Sequence, residues 1–303
     1  MISTSKGFSH RWRRYAPALL CALGMLVVLR IAGKSYLWAL IDFESGPAAE
    51  ISKHPDETGI PGLAEVSFIS RDGTHLAGWY VPSQNRAAVV LTHGTNVDRA
   101  WMLPETKILA NGKFGVLAFD WPGNGGSQGE VHWGAGERAA LAGAVDWLAS
   151  RSDVDPQRIG GLGFSMGGYI MAQVAATDTQ LRAVVLEATP TAFGEYERWA
   201  HKRWGLLSGL PAIWAARHSG MPLDEMRPRD VVASIAPRPL LIIGGDVDPI
   251  VPPFMTHALY ESAREPKTLW MVPGAEHGSY VKVVPKEYRK RLVEFFSRTL
   301  LDE

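Results

Sequence analysis

Between residues 65 and 272 the chain alternates two incompatible periodicities, and this alternation limits its possible folds more than any other feature. Short apolar runs of β type fall at 65–70, 75–81, 87–92, 116–120, 158–164, 181–186, 239–243 and 267–272. Most of the gaps carry apolar residues at helical spacing: Leu141, Ala144, Val145 and Leu148 before Asp155-Pro156; Ile170 and Val174; Tyr288, Leu292, Phe295 and Thr299; and a stretch over 101–110 closed by Gly112. Arg71-Asp72-Gly73-Thr74 reads as the turn of a hairpin between the first two runs, after which strands and helices alternate. The pattern predicts an α/β fold, an eight-stranded, mostly parallel sheet with an antiparallel start and flanking helices. The stretch 190–229 interrupts it with Trp199, Trp204, Trp214 and an apolar run over 206–213. A small helical insertion is expected there, either packed on the domain or capping a pocket for an apolar part of a substrate.

The 303 residues carry 31 basic and 31 acidic groups, but the balance conceals an asymmetry. Lys6, Arg11, Arg13, Arg14, Arg30 and Lys34 all precede residue 35 with no acid among them, which leaves the remainder with a net charge of −6. Such a body has no electrostatic reason to bind nucleic acid. The basic end instead flanks an uncharged tract, 16–29, which reaches a spanning length of about 27 Å if the helix continues to Gly33 with Arg30 snorkelling. A cleaved signal peptide would need a small residue where Arg30 stands. A transit peptide would spread its cations along one helical face, and a lipoprotein signal would need a small residue in place of Leu20 before Cys21. An uncleaved signal anchor through 16–33 fits best, with Arg11, Arg13 and Arg14 on the cytoplasmic side and the body extracytoplasmic, although Arg30 and Lys34 oppose that orientation. The expected organisation is a basic terminus and anchor over 1–41, a Pro/Gly-rich linker over 42–62, and a domain over 63–303 with the insertion inside it. Cys21 is the single cysteine, and the chain has no HExxH, so no disulfide, metal or other cofactor is expected.

Gly163-Phe164-Ser165-Met166-Gly167 is a G-x-S-x-G pentapeptide at the junction of a β run and a helical pattern. A serine on so sharp a strand-to-helix turn is held strained, with its hydroxyl projected above the sheet, and side chains at 163 and 167 would collide. The alternative reading is a glycine-rich turn that packs a helix. A dinucleotide fingerprint is excluded by register, because Met166 stands where the third glycine belongs.

These residues resemble the α/β-hydrolase superfamily, and within it the esterase and serine-aminopeptidase-like group whose members often carry an amino-terminal membrane segment. The resemblance covers about 63–300 and implies the chain order nucleophile, acid, histidine. Gly244-Gly245-Asp246-Val247-Asp248-Pro249-Ile250-Val251-Pro252 resembles the family's acid loop and makes Asp248 the expected acid. Asp246 falls two residues early and reads as a loop cap, while Glu187 corresponds to the acid of some relatives. His277, in Pro273-Gly274-Ala275-Glu276-His277-Gly278 after the last β run, is the expected general base; His257 sits on a helical pattern. His93-Gly94-Thr95 resembles the oxyanion loop, so the amides of Thr95 and Met166 are the expected oxyanion donors, with His93 organising the loop. Asp120 to Ser127 resembles the family's D-x-x-G-x-G-x-S turn, a structural element. The resemblance implies a Ser165–Asp248–His277 serine hydrolase acting on a small acyl substrate, an ester, thioester or amide. An aminopeptidase and an acyltransferase use the same triad, and an inactive scaffold would show a broken one. Relatives with an aspartate nucleophile are disfavoured by the serine.

Overall fold

The computed structural model describes residues 6–44, 53–132, 134–202, 205–221, 223, 225 and 227–301. Contacts divide the chain into two units, residues 1–44 with 197–219 and residues 45–196 with 220–303.

The larger unit holds one eight-stranded sheet. In chain order its strands are β1 (Ala64–Ile69), β2 (His75–Val81), β3 (Ala88–Thr92), β4 (Gly115–Phe119), β5 (Ile159–Phe164), β6 (Leu181–Glu187), β7 (Leu240–Gly245) and β8 (Lys267–Val272). Among the described residues the α-helices are α1 (Lys6–Glu44), α2 (Leu103–Asn111), α3 (Ala135–Ala149), α4 (Met166–Thr177), α5 (Phe193–Ala200), α6 (Leu206–His218), α7 (Pro228–Val231), α8 (Pro253–Ser262), α9 (Tyr280–Val283) and α10 (Pro285–Leu300). The strand order is β1-β2-β4-β3-β5-β6-β7-β8; β2 runs antiparallel to both β1 and β4, and every later pairing is parallel. All eight expected strands form, each within one or two residues of its predicted limits.

The central strands are buried along their whole length, as β3, β4 and β5 show, because helices cover both faces of a parallel sheet. Val89 and Leu91 of β3 share one core with Leu109 of α2 and with Tyr288, Leu292, Phe296 and Leu300 of α10. The buried stripe of α10 therefore corrects the expected one: Phe296 and Leu300 point inward, while Phe295 packs only partly and Thr299 bonds back to the Phe295 carbonyl. The stretch 101–110 also differs from a single helix. It opens as a tight 3₁₀ turn over Arg99–Met102, and α2 begins only at Leu103, where Pro104 sits in the first turn and lacks the donor that a deeper position would need. Gly112 closes α2 as expected.

The central strand β5, Ile-Gly-Gly-Leu-Gly-Phe, has little side chain of its own. A Cβ on Gly160 would stand 2.6 Å from the Phe296 ring, and one on Gly161 would stand 2.5 Å from the Met171 sulfur. The flanking helices α10 and α4 approach the sheet through these gaps.

In the smaller unit α1 runs for 39 residues, well beyond the expected stop at Gly33. No Gly or Pro occurs between Lys34 and Ser45, so nothing in the sequence breaks the helix until Gly46-Pro47. The linker therefore starts later than residue 42, and its first part, 45–52, lies outside the described residues, as do Trp204 and the side chains of Lys6, Arg11, Arg13 and Arg14. Within α1, Tyr15–Leu40 is long and apolar enough to cross a membrane. Ala39 packs against Ala212 and Ala215 of α6, flanked by Tyr36 and Leu40.

Candidate active site

Ser165 terminates β5 and begins the turn into α4 with φ 54° and ψ −116°, a conformation that L-residues seldom adopt. Two backbone bonds hold it there: its amide donates to the Glu187 carbonyl at 2.8 Å, and its carbonyl accepts from the Tyr169 amide at 3.0 Å. The turn closes only around glycine, since a Cβ on Gly163 would lie 2.5 Å from the Gly167 carbonyl oxygen and one on Gly167 would lie 2.3 Å from that of Thr92. Strand register thus brings β3 and β5 together at the point where the serine emerges.

The loop after β7 carries Asp248, nearly fully buried at 4% exposure. Its Oδ1 accepts from the amides of Ile250 at 2.8 Å and Val251 at 2.9 Å, which leaves Oδ2 to His277 Nδ1 at 2.8 Å. A carboxylate only accepts, so Nδ1 carries the proton and Nε2 of the neutral ring is left as an acceptor. Phe164, next to the serine, packs against this imidazole at a tilt, with ring centroids 4.8 Å apart, and Trp101 stacks on Phe164 at 5.6 Å. The remaining candidate acids and bases stand apart from this pair. Asp246 Oδ1 accepts from the Gly274 amide at 2.6 Å, a loop cap, and His257 is exposed on α8.

Glu187 belongs to a buried cluster that sequence reasoning missed. The Tyr288 hydroxyl lies 2.6 Å from Glu187 Oε1 and 3.0 Å from Glu105 Oε1. A phenol has one proton to donate, so the second contact requires that one carboxyl keep its own. Burial pushes both carboxyl pKa values up, Glu105 to about 7, and their mutual repulsion adds to the rise at Glu187. No local pattern announces this cluster, whose members stand at positions 105, 187 and 288.

The expected oxyanion loop abuts the serine: a Cβ on Gly94 would stand 3.3 Å from that of Ser165. Among the described residues, the amides of Thr95 and Met166 donate to no protein acceptor. His93 is buried, its pKa lowered by burial; Nδ1 faces the Gly94 carbonyl at 2.8 Å, and Nε2 accepts from the Trp121 amide at 3.3 Å. It therefore ties β3 to the β4 turn. In that turn Asp120 accepts from the Arg99 amide at 2.7 Å and the Gly126 amide at 2.9 Å and pairs with the Arg99 guanidinium, which makes the motif structural. A cleft of about 660 Å³ opens beside His277, with Trp101, Leu103, Ile60, Val281 and Glu105 among its lining.

Residues 104–303 match the prolyl oligopeptidase family. The chain belongs to that family. Members of the prolyl oligopeptidase family are serine hydrolases of α/β-hydrolase fold, and the fold is shared with the esterase Pf2001 of Pyrococcus furiosus, at a TM-score of 0.72 and 23% identity over 84% of this chain and 97% of that one. The uncharacterised protein YfhR of Escherichia coli O157:H7 is 33% identical over 253 residues, covering 79% of this chain and 83% of the relative. The polyketide transferase ATR5 of Stachybotrys chlorohalonatus is 25% identical over 289 residues, 78% of this chain and 97% of its own. Family and fold together make this chain a hydrolase.

Proposed function

We propose that the protein is a membrane-anchored acyl hydrolase, carboxylesterase-like in its chemistry, in which Ser165 is the nucleophile, His277 the general base and Asp248 the residue that orients it. The observation that carries this reading is the Asp248–His277 pair at 2.8 Å, whose imidazole packs on Phe164, the residue before a serine held at φ 54°. In the first half-reaction Ser165 Oγ bonds to the carbonyl carbon while its proton passes to His277 Nε2. The amides of Thr95 and Met166 receive the negative charge on the carbonyl oxygen. Collapse breaks the bond to the leaving group, which takes the proton from the imidazolium, and leaves an acyl ester on Ser165. Water then repeats the sequence and releases the acid.

The domain over 63–303 carries this chemistry, with the insertion near 190–229 as its helical elaboration. The anchor is α1, with the catalytic domain extracytoplasmic. The similarity to a polyketide transferase supports a second reading, in which an alcohol or amine replaces water in the deacylation step.

The test is labelling with a fluorophosphonate probe, alongside hydrolysis of p-nitrophenyl esters of increasing chain length. Wild type is expected to label and Ser165→Ala to lose both labelling and several orders of magnitude of turnover with an unchanged circular dichroism spectrum. Activity surviving in Ser165→Ala would remove the nucleophile assignment. Adding alcohols to the assay separates the two deacylation routes, because transfer gives a new ester at the expense of free acid.

A further inference from the structure

Helix α6 is built inside out for a water-soluble helix. Its small residues, Gly209, Ala212, Ala215 and Ala216, are buried, whereas its large apolar residues face outward: Leu206 is 73% exposed, Leu210 56% and Trp214 63%, with Leu207 also exposed. From Leu206 to Ala216 it contains no charged residue, and Arg217 and His218 follow in the last turn. Small residues toward a neighbouring helix and large apolar ones outward are the arrangement that helices adopt when the surrounding solvent is lipid.

The neighbour is the decisive fact. α6 packs on the carboxyl end of α1, at Tyr36, Ala39 and Leu40, with the Tyr36 and Trp214 rings 4.9 Å apart. Tyr15–Leu40 counts 26 residues, a length of about 39 Å against a hydrocarbon core of about 30 Å. If Tyr15 marks one boundary, the excess of about six residues places Tyr36 and Trp38 in the headgroup layer, the depth at which amphipathic aromatic rings concentrate. α6 is 13 residues long, about 20 Å, and cannot span. Leu37 and Trp38 on α1 are exposed as well.

We propose that α6 lies in the interfacial layer of the same bilayer that α1 crosses, with Leu206, Leu210 and Trp214 seated among the lipid chains. The occupant of this surface is lipid, and the inference rests on the reading of α1 as an anchor. The full chain carrying Cys21→Ser is combined with Leu206→Cys, Leu210→Cys, Trp214→Cys or, as the reference inside α1, Val28→Cys. Each variant is labelled with an environment-sensitive dye and reconstituted in phosphatidylcholine vesicles containing nitroxide lipids at shallow or deep positions. Circular dichroism checks that each variant is folded.

A blue-shifted emission at 206, 210 and 214, quenched more by the shallow than by the deep nitroxide, is expected, with the reverse order at 28. Aqueous emission at the three α6 positions with lipid quenching at 28 overturns the proposal and leaves the anchor standing. Aqueous emission at all four overturns both. A dye at α6 that is shielded from water yet indifferent to nitroxide lipids means that protein covers the face, and the proposal falls.

Discussion

Both oxygens of Asp248 have a use: two loop amides fix one, and the other fixes the tautomer of His277. Asp248→Asn keeps the shape but offers an amide that can present a donor to Nδ1, which favours the wrong tautomer. The expected outcome is a loss of about 10⁴-fold in kcat with little change in folding, read from steady-state ester hydrolysis and thermal melts. Glu187 lies outside this constellation, and its consequence is for stability. The folded chain holds a proton on the Glu105–Glu187 pair after the unfolded chain has released it. Stability contributed by the pair is therefore present at low pH and is lost as pH rises from the ordinary carboxylate range through about 7 and above. Glu187→Gln is expected to raise the melting temperature by a few degrees at pH 9, with the gap closing by pH 4; an equal effect at both pH values would exclude the shared proton. That Asp248 and His277 would come together was legible because each follows a β run inside a short motif. The acid pair was not, because it exists only through contacts between α2, β6 and α10.

At the level of elements, the sequence revealed the strands closely because β-type runs here are short and bounded by turn residues. Helical limits depend on where breakers fall, which explains both the overrun of α1 and the delayed start of α2. The inward face of α10 was read with one residue of slip: the spacing 288, 292, 295, 299 follows a seven-residue repeat, whereas the buried residues step by four along the ridge that meets the sheet. The energetic corollary separates neighbours in sequence. Phe296→Ala, at a fully buried position, is expected to cost about 3–5 kcal/mol in urea denaturation, and Phe295→Ala distinctly less. Equal costs would contradict the assigned face.

For the whole molecule, the charge asymmetry and α1 bear on location. Alkaline carbonate is expected to leave the chain in the membrane fraction, and protease added to spheroplasts is expected to digest the domain; complete protection would reverse the orientation. The apolar character of α1 could be read from the sequence, but its partnership with α6 could not, since no periodicity in either segment names the other. The glycines of β5 carry a different implication. The strand that presents the serine is hemmed in by the Phe296 ring at Gly160 and by the Gly167 backbone at Gly163, so a methyl group added at either position forces its neighbours to shift. In a saturation scan Gly160 and Gly163 would be silent positions with few survivors, and a laboratory seeking new substrate range should randomise the clefts and loops around them.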